Sequence, residues 1–124
     1  MSVDRSLLGQ APSREVVPHP VLAAEFRATP LGHHSDALAR LLRVLRSEPL
    51  DGKHVVVCIE PFREYRLGRL SARRGTPVEL VPGLVFSSPA EAEWAVFVRR
   101  WERHFGEPLD LDAVDRAGGS GERA

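Results

Sequence analysis

The hydrophobic pattern is clearest between residues 88 and 105, where it predicts a long amphipathic helix. Ser88 can accept a backbone N–H at the helix start while Glu91 reaches back to the N–H of Ser88, and Pro89 suits the first helical position. Gly106 supplies a left-handed stop. The apolar side chains recur every three or four residues and form one stripe: Trp94, Phe97, Val98, Trp101 and Phe105. A helix of this kind needs a second layer to cover its apolar stripe.

A second amphipathic helix is predicted from Ser35 to about Ser47. Ser35 is a good N-cap, and Glu48 stands before Pro49, which disfavours the helical region for the preceding residue. The apolar face consists of four leucines: Leu38, Leu41, Leu42 and Leu45. This helix is expected to pack by one side only.

The segment between the two helices predicts β-strands. His54–Ile59 is rich in β-branched residues and apolar on both alternating faces, which is typical of an interior strand. Phe62–Leu70 alternates imperfectly, with one side expected to face solvent or a partner. Pro77–Val81 and Leu84–Phe86 are predicted as two short strands around a Pro82-Gly83 turn. The fold class is therefore α+β: a small antiparallel sheet packed against the long C-terminal helix, with the second helix N-terminal to the sheet.

Three regions differ in composition. Residues 1–29 are proline-rich without a sustained apolar period, which predicts an extended arm with at most a short helical turn around Val21–Phe26. Residues 30–106 carry the predicted elements. Residues 107–124 form an extension that is expected to be flexible from about residue 117, where glycine and serine dominate.

Charge and cysteine content narrow the functional classes. The chain of 124 residues has 17 basic and 17 acidic residues, and zero net charge argues against binding nucleic acid or a membrane surface through global charge. Its single cysteine excludes an internal disulfide. No apolar run is long enough for a membrane span, and none shows the charged-then-apolar order of a signal peptide, so a cytoplasmic protein is expected.

Residues that could carry chemistry do not form a catalytic set. Adjacent His33 and His34 lack the spacing of a helical metal pair, and Asp110, Asp112 and Asp115 lack the glycine and glutamate of a calcium loop. Cys58 lies in the most apolar strand and is expected to be a small buried side chain. The sequence predicts no catalytic residue, cofactor site or metal site in this chain.

A cluster of arginines suggests nucleic-acid binding as an alternative function. Five of them fall within twelve residues: Arg63, Arg66, Arg69, Arg73 and Arg74. A sheet with arginines on its exposed face could grip a nucleic acid. Few interleaved aromatic residues and zero net charge favour a solvated or protein-binding surface instead.

Several short segments, kept in the same order, resemble the small (alpha) subunit of N,N-dimethylformamidase. They cover roughly residues 30–106: PLGHHS at 30–35, the leucine-rich helix, RSEP at 46–49, GK at 52–53, PFREYRL at 61–67, and Phe86 followed by EAEWAVFVRR at 91–100. The arm and the glycine-rich tail fall outside this resemblance.

The resemblance implies an accessory role. In the enzyme that the chain resembles, a much larger subunit carries a non-haem iron and hydrolyses the amide. We therefore expect a non-catalytic small subunit that binds and stabilises a larger catalytic subunit in a hetero-oligomer, with iron in the partner and none in this chain. The candidate contacts are turn or exposed-strand residues that the isolated fold has little need for: His33, His34, Phe62, Tyr65, Arg66 and Arg69.

Overall fold

The computed structural model describes residues 19–122, and within them four helices accompany a three-stranded antiparallel sheet. The elements in chain order are α1 (Pro20–Ala28), α2 (Asp36–Arg46), β1 (His54–Glu60), β2 (Glu64–Arg69), β3 (Glu79–Phe86), α3 (Pro89–Phe105) and α4 (Leu111–Glu122). Helix α3 packs on the sheet, while α1 and α2 precede it. The predicted α+β class is confirmed.

Helix α3 begins and ends where its sequence signals predict. The Ser88 hydroxyl accepts the Glu91 N–H at 3.2 Å, and Gly106 ends the helix with φ 79°. The predicted return contact differs, because the Glu91 carboxylate accepts the N–H of Ser87 at 3.3 Å instead of that of Ser88. The buried face of the helix consists of Ala92, Val96, Phe97 and Trp101.

Helix α2 also confirms its prediction. The Ser35 hydroxyl accepts the Leu38 N–H at 3.2 Å, and the Glu25 carboxylate holds the backbone and side chain of Ser35 at 2.7 Å each. All four predicted leucines are buried: Leu38, Leu41, Leu42 and Leu45. They belong to the helical core that α3 completes.

Helix α1 lies where the sequence predicted a short helical turn, around Val21–Phe26, but it is longer than predicted, so residues 20–28 are not an extended arm. Residues 20–28 form a regular helix of nine residues, with Pro20 in its first turn. Ala23 and Phe26 are buried, and the Phe26 ring stacks on Phe97 of α3 with 4.6 Å between centroids. This distant packing stabilises a helix that is too short to be stable alone. The predicted arm residues 1–18 lie outside the described residues.

Helix α4 completes the helical layer against α1. The Asp110 carboxylate accepts the Ala113 N–H at 3.1 Å, Val114 is fully buried, and Arg27 pairs with Asp115 at 2.6 Å. The helix continues to Glu122, through the segment from Ala117 that the sequence predicted to be flexible. The flexibility of this segment stays a prediction. Residues 123–124 lie outside the described residues.

The sheet has the order β1–β2–β3, which corrects two predictions. Strand β1, predicted as interior, is an edge strand, and its last three residues are exposed. The two short strands predicted around Pro82-Gly83 are one strand, β3, in which an irregular stretch separates two regions of pairing with β2. Gly83 absorbs that irregularity with φ 78°.

The two faces of the sheet are unequal. One face packs on α3 and includes Leu67, which is completely buried. The opposite face, called the outer face below, carries exposed aliphatic side chains. Within residues 19–122, no helix has the length and apolar character that crossing a bilayer requires.

Candidate partner interface

The outer face is defined by the strand register. Val57, Arg66 and Val85 lie side by side across the three strands, and Val55, Gly68 and Leu80 form the neighbouring row. The exposed apolar residues on or beside these rows are Ile59, Val78, Leu80 and Val85. Val85, on the edge strand β3, leaves 56% of its surface exposed. The outer face is therefore an apolar surface without a covering element in the described part of the chain.

Gly68 allows the aliphatic side chains to lie close over β2. A Cβ at this position would stand 3.0 Å from Val57 Cγ2 and inside the van der Waals distance of Val78 Cγ1. The absence of a side chain lets Val57 and Val78 converge above the central strand. Gly68 thereby flattens the centre of the outer face.

Arg66 is the polar residue at the centre of the outer face. Its register partners are Val57 and Val85, and its Nε is buried yet has no hydrogen-bond partner among the described residues. A buried donor without an acceptor is costly, and such groups are rare in folded proteins.

The β1–β2 hairpin presents Phe62 at its tip. The side chain is 90% exposed, and its backbone is left-handed with φ 67°. Among residues 19–122 this is the single non-glycine residue with positive φ. The Arg63 N–H donates to the Glu60 carbonyl at 3.0 Å, which closes a tight turn with Pro61 and Phe62 in the central positions.

Tyr65 is 8% exposed, so the expectation of an exposed strand residue is wrong. It pairs in register with Cys58 and Phe86, and it lies two residues from Leu67, so its ring shares the face that α3 covers. Its hydroxyl accepts the Phe62 N–H at 2.9 Å. Tyr65 therefore supports the hairpin tip from beneath.

The structure separates the six candidate contacts. Arg66 lies on the outer face and Phe62 at the hairpin tip. Arg69 is three residues beyond Arg66, on the opposite face, and stands 4.0 Å from Glu79. His33 is exposed in the α1–α2 turn. His34 Nε2 lies 2.8 Å from the Thr29 carbonyl, and its ring is 5.6 Å from Phe26. Contact of any of them with a partner stays a prediction.

The arginine cluster does not occupy one surface. Arg66 and Arg69 point to opposite faces of β2, and Arg63 lies 3.8 Å from the Glu60 carboxylate. Arg73 and Arg74 are in the loop between β2 and β3. The continuous arginine face that nucleic-acid binding would use is therefore not formed by these five residues.

Cys58 and the aspartates Asp110 and Asp115 do not come together in a reactive site. Cys58 is exposed, which corrects the expectation of burial, because it is one of the last three residues of the edge strand β1, all of which are exposed. Asp110 caps α4 and Asp115 pairs with Arg27. Over residues 19–122, no group of three or more His, Cys, Asp and Glu side chains could hold a metal ion.

Sequence reasoning missed a polar cluster around Glu48, whose side chain is only 5% exposed. Its carboxylate accepts the His54 N–H at 2.7 Å, Arg100 Nε at 3.2 Å and an Arg103 guanidinium N–H at 3.1 Å. Arg100 also donates to the His54 carbonyl at 2.6 Å. The cluster ties the start of β1 to α3 and so fixes the sheet on the helix. Its one sequence signal was an acidic residue between a leucine-rich helix and Pro49.

The pKa values of this cluster follow from burial and pairing. Burial alone would raise the pKa of Glu48, but the hydrogen bond from the His54 N–H and the nearby positive charges outweigh it and lower the pKa. Burial lowers the pKa of His54, and the Glu48 charge offsets only part of that effect. Glu48 is therefore held as a carboxylate and His54 as a neutral ring at pH 7.

Comparison with known proteins agrees with the resemblance seen in the sequence. A family model described as the N,N-dimethylformamidase alpha subunit matches residues 14–107. The match begins sixteen residues before the start inferred from the motifs and includes all of α1. No curated protein matches the chain.

Proposed function

Since the chain belongs to the N,N-dimethylformamidase alpha-subunit family, we propose that it is a non-catalytic small subunit that binds and stabilises a larger catalytic subunit. The family is that of one subunit of a multi-subunit enzyme, which is consistent with a larger partner. Amide hydrolysis and its iron then belong to the partner, and the assembly is a cytoplasmic hetero-oligomer.

The observation that carries this proposal is the uncovered outer face. Ile59, Val78, Leu80 and Val85 expose apolar surface on one side of a sheet whose other side is packed on α3. Exposed apolar patches of this kind are typical of protein–protein contacts. Burying aliphatic surface contributes about 25 cal/mol per Å² before the entropic costs of association are subtracted.

Arg66 adds a specific polar contact to the apolar patch. Arg66 pairs in register with Val57 and Val85, and its buried Nε has no hydrogen-bond partner within residues 19–122. Arginine surrounded by apolar residues is frequent among the side chains that dominate binding energy. We expect the terminal guanidinium nitrogens of Arg66, rather than its buried Nε, to donate to a carboxylate or carbonyl of the larger subunit.

The test is the affinity for a separately purified N,N-dimethylformamidase large subunit, measured by isothermal titration calorimetry. Val85→Asp and Leu80→Asp place a charge on the outer face, and an unpaired buried charge should raise Kd by about 100-fold or more. Val21→Asp is the matched control, because Val21 is exposed on α1, away from the sheet. Its Kd should equal that of the wild type.

Folding of each variant is checked by circular dichroism before its affinity is compared. If both sheet variants bind like the wild type, the larger subunit does not use the outer face. If the wild type itself does not bind, the accessory-subunit function is wrong.

A further inference from the structure

The tip of the β1–β2 hairpin combines a strained backbone with an aromatic ring that is almost entirely exposed to solvent. The turn from Glu60 to Arg63 has Pro61 in its second position and Phe62 in its third, where φ is 67°. A turn with proline followed by a positive φ ordinarily places glycine at the third position, because a Cβ is disfavoured there. Phe62 therefore occupies a position that local backbone preference would give to glycine.

The isolated chain gains little from this side chain. Phe62 is 90% exposed, and no aromatic-ring contact within the described residues includes it. Strain that persists in a structure without a local benefit is a common property of functional positions. A large exposed aromatic ring is also the side chain that most often anchors an interface.

The tip is held in place before any partner arrives. The hydroxyl of the buried Tyr65 accepts the Phe62 N–H at 2.9 Å, and the backbone N–H of Arg63 donates to the Glu60 carbonyl at 3.0 Å. Fixing the backbone in advance reduces the conformational entropy that binding must remove. Ile59, which is exposed on β1, precedes Phe62 by three residues, so exposed apolar surface of the sheet is close in sequence to the tip.

We propose that Phe62 is a preformed anchor that inserts its ring into an apolar pocket of the larger subunit, with Tyr65 as the residue that positions it. This inference rests on the proposed function and specifies the contact. Phe62 supplies the buried area, and Tyr65 acts through the backbone of Phe62 without touching the partner.

The experiment measures Kd for the purified N,N-dimethylformamidase large subunit with four chains: wild type, Phe62→Gly, Tyr65→Phe and the double variant. Phe62→Gly should raise Kd by about 30-fold, the usual effect of losing an interface anchor. Its urea unfolding midpoint should not fall, because glycine suits the left-handed backbone. Val21→Ala, at an exposed apolar position on α1, is the matched control and should leave Kd unchanged.

Tyr65→Phe keeps the buried ring and removes only the hydroxyl. It should raise Kd by about fivefold in the wild-type background and have no effect on Kd in the Phe62→Gly background. A purely structural role of Tyr65 would give the same factor in both backgrounds, which would overturn its assignment as a positioning residue.

The outcomes separate this inference from the proposed function. Tight binding by the wild type and by Phe62→Gly alike would overturn the anchor and leave the accessory-subunit function standing. No binding by the wild type would refute the proposed function itself. Sedimentation of the chain alone is the second measurement, and self-association that Phe62→Gly abolishes would assign the anchor to a second copy and overturn the proposed partner.

Discussion

Replacing Glu48 with glutamine should destabilise the fold strongly, because one buried carboxylate holds three donors. Glu48→Gln keeps the size of the side chain, so no cavity forms, but it removes the negative charge that faces Arg100 and Arg103. Removing one partner of a buried ion pair costs about 3–5 kcal/mol. Water can recover part of this cost, because the Arg103 side chain is 34% exposed. We therefore expect a loss of about 3 kcal/mol.

The assay is urea unfolding at pH 7, followed by circular dichroism and tryptophan fluorescence. At a typical slope of about 1–3 kcal/mol per molar urea, the predicted loss lowers the unfolding midpoint by about 1–3 M. Glu60→Gln is the matched control, since the Glu60 carboxylate lies 3.8 Å from Arg63 in an exposed pair. Exposed pairs contribute little, so the control should lose less than about 1 kcal/mol.

The reasoning would be refuted by equal unfolding midpoints for Glu48→Gln and Glu60→Gln. That result would mean that the burial of the carboxylate adds nothing to its interactions. It would also mean that the attachment of β1 to α3 depends on apolar packing alone.

Two further predictions concern acid stability and the central strand. The folded-state pKa values of His54 and Glu48 lie below their ordinary values of 6.5 and 4.5. The free energy of unfolding of the wild type should therefore be constant above about pH 6.5. It should fall as the pH falls, first because the unfolded state protonates His54 and then because it protonates Glu48. Urea midpoints from pH 8 to about pH 3 measure this loss, and an unchanged pH profile in His54→Gln would contradict it. Gly68→Ala should cost about 1–3 kcal/mol through overpacking against Val57 and Val78. Adding Val78→Ala should recover part of that stability in thermal unfolding, and strict additivity of the two changes would exclude the contact.

Helices α2 and α3 could be predicted because their signals are local. Ser35 and Ser88 cap their helices, and Gly106 ends α3, all within a few residues of the elements that they delimit. For helix α1 the sequence predicted only a short helical turn around Val21–Phe26, and the length of the helix could not be predicted in the same way. It depends on the contact of Phe26 with Phe97, a residue more than seventy positions away.

The position of β1 at a sheet edge was also beyond sequence reasoning. An apolar pattern on both faces predicts that both faces are buried, and the pattern does not say which molecule buries them. In the described part of the chain, α3 covers one face and no element covers the other. The same pattern is expected if a partner subunit covers the outer face.

The candidate contacts divide for a related reason. The alternation along β2 predicted that Tyr65 and Arg66 lie on opposite faces, but it could not predict which of the two faces α3 covers. Glu48 was missed because its partners Arg100 and Arg103 lie on α3, about fifty residues away in sequence. Local signals therefore predicted helix ends well and long-range polar contacts poorly.

The most direct test of the accessory-subunit function is light scattering coupled to size-exclusion chromatography, applied to this chain mixed with a purified N,N-dimethylformamidase large subunit. The account predicts one peak that contains both chains in a fixed ratio, together with a higher thermal stability of the large subunit in the complex. Two separate peaks with the masses of the free proteins would contradict it.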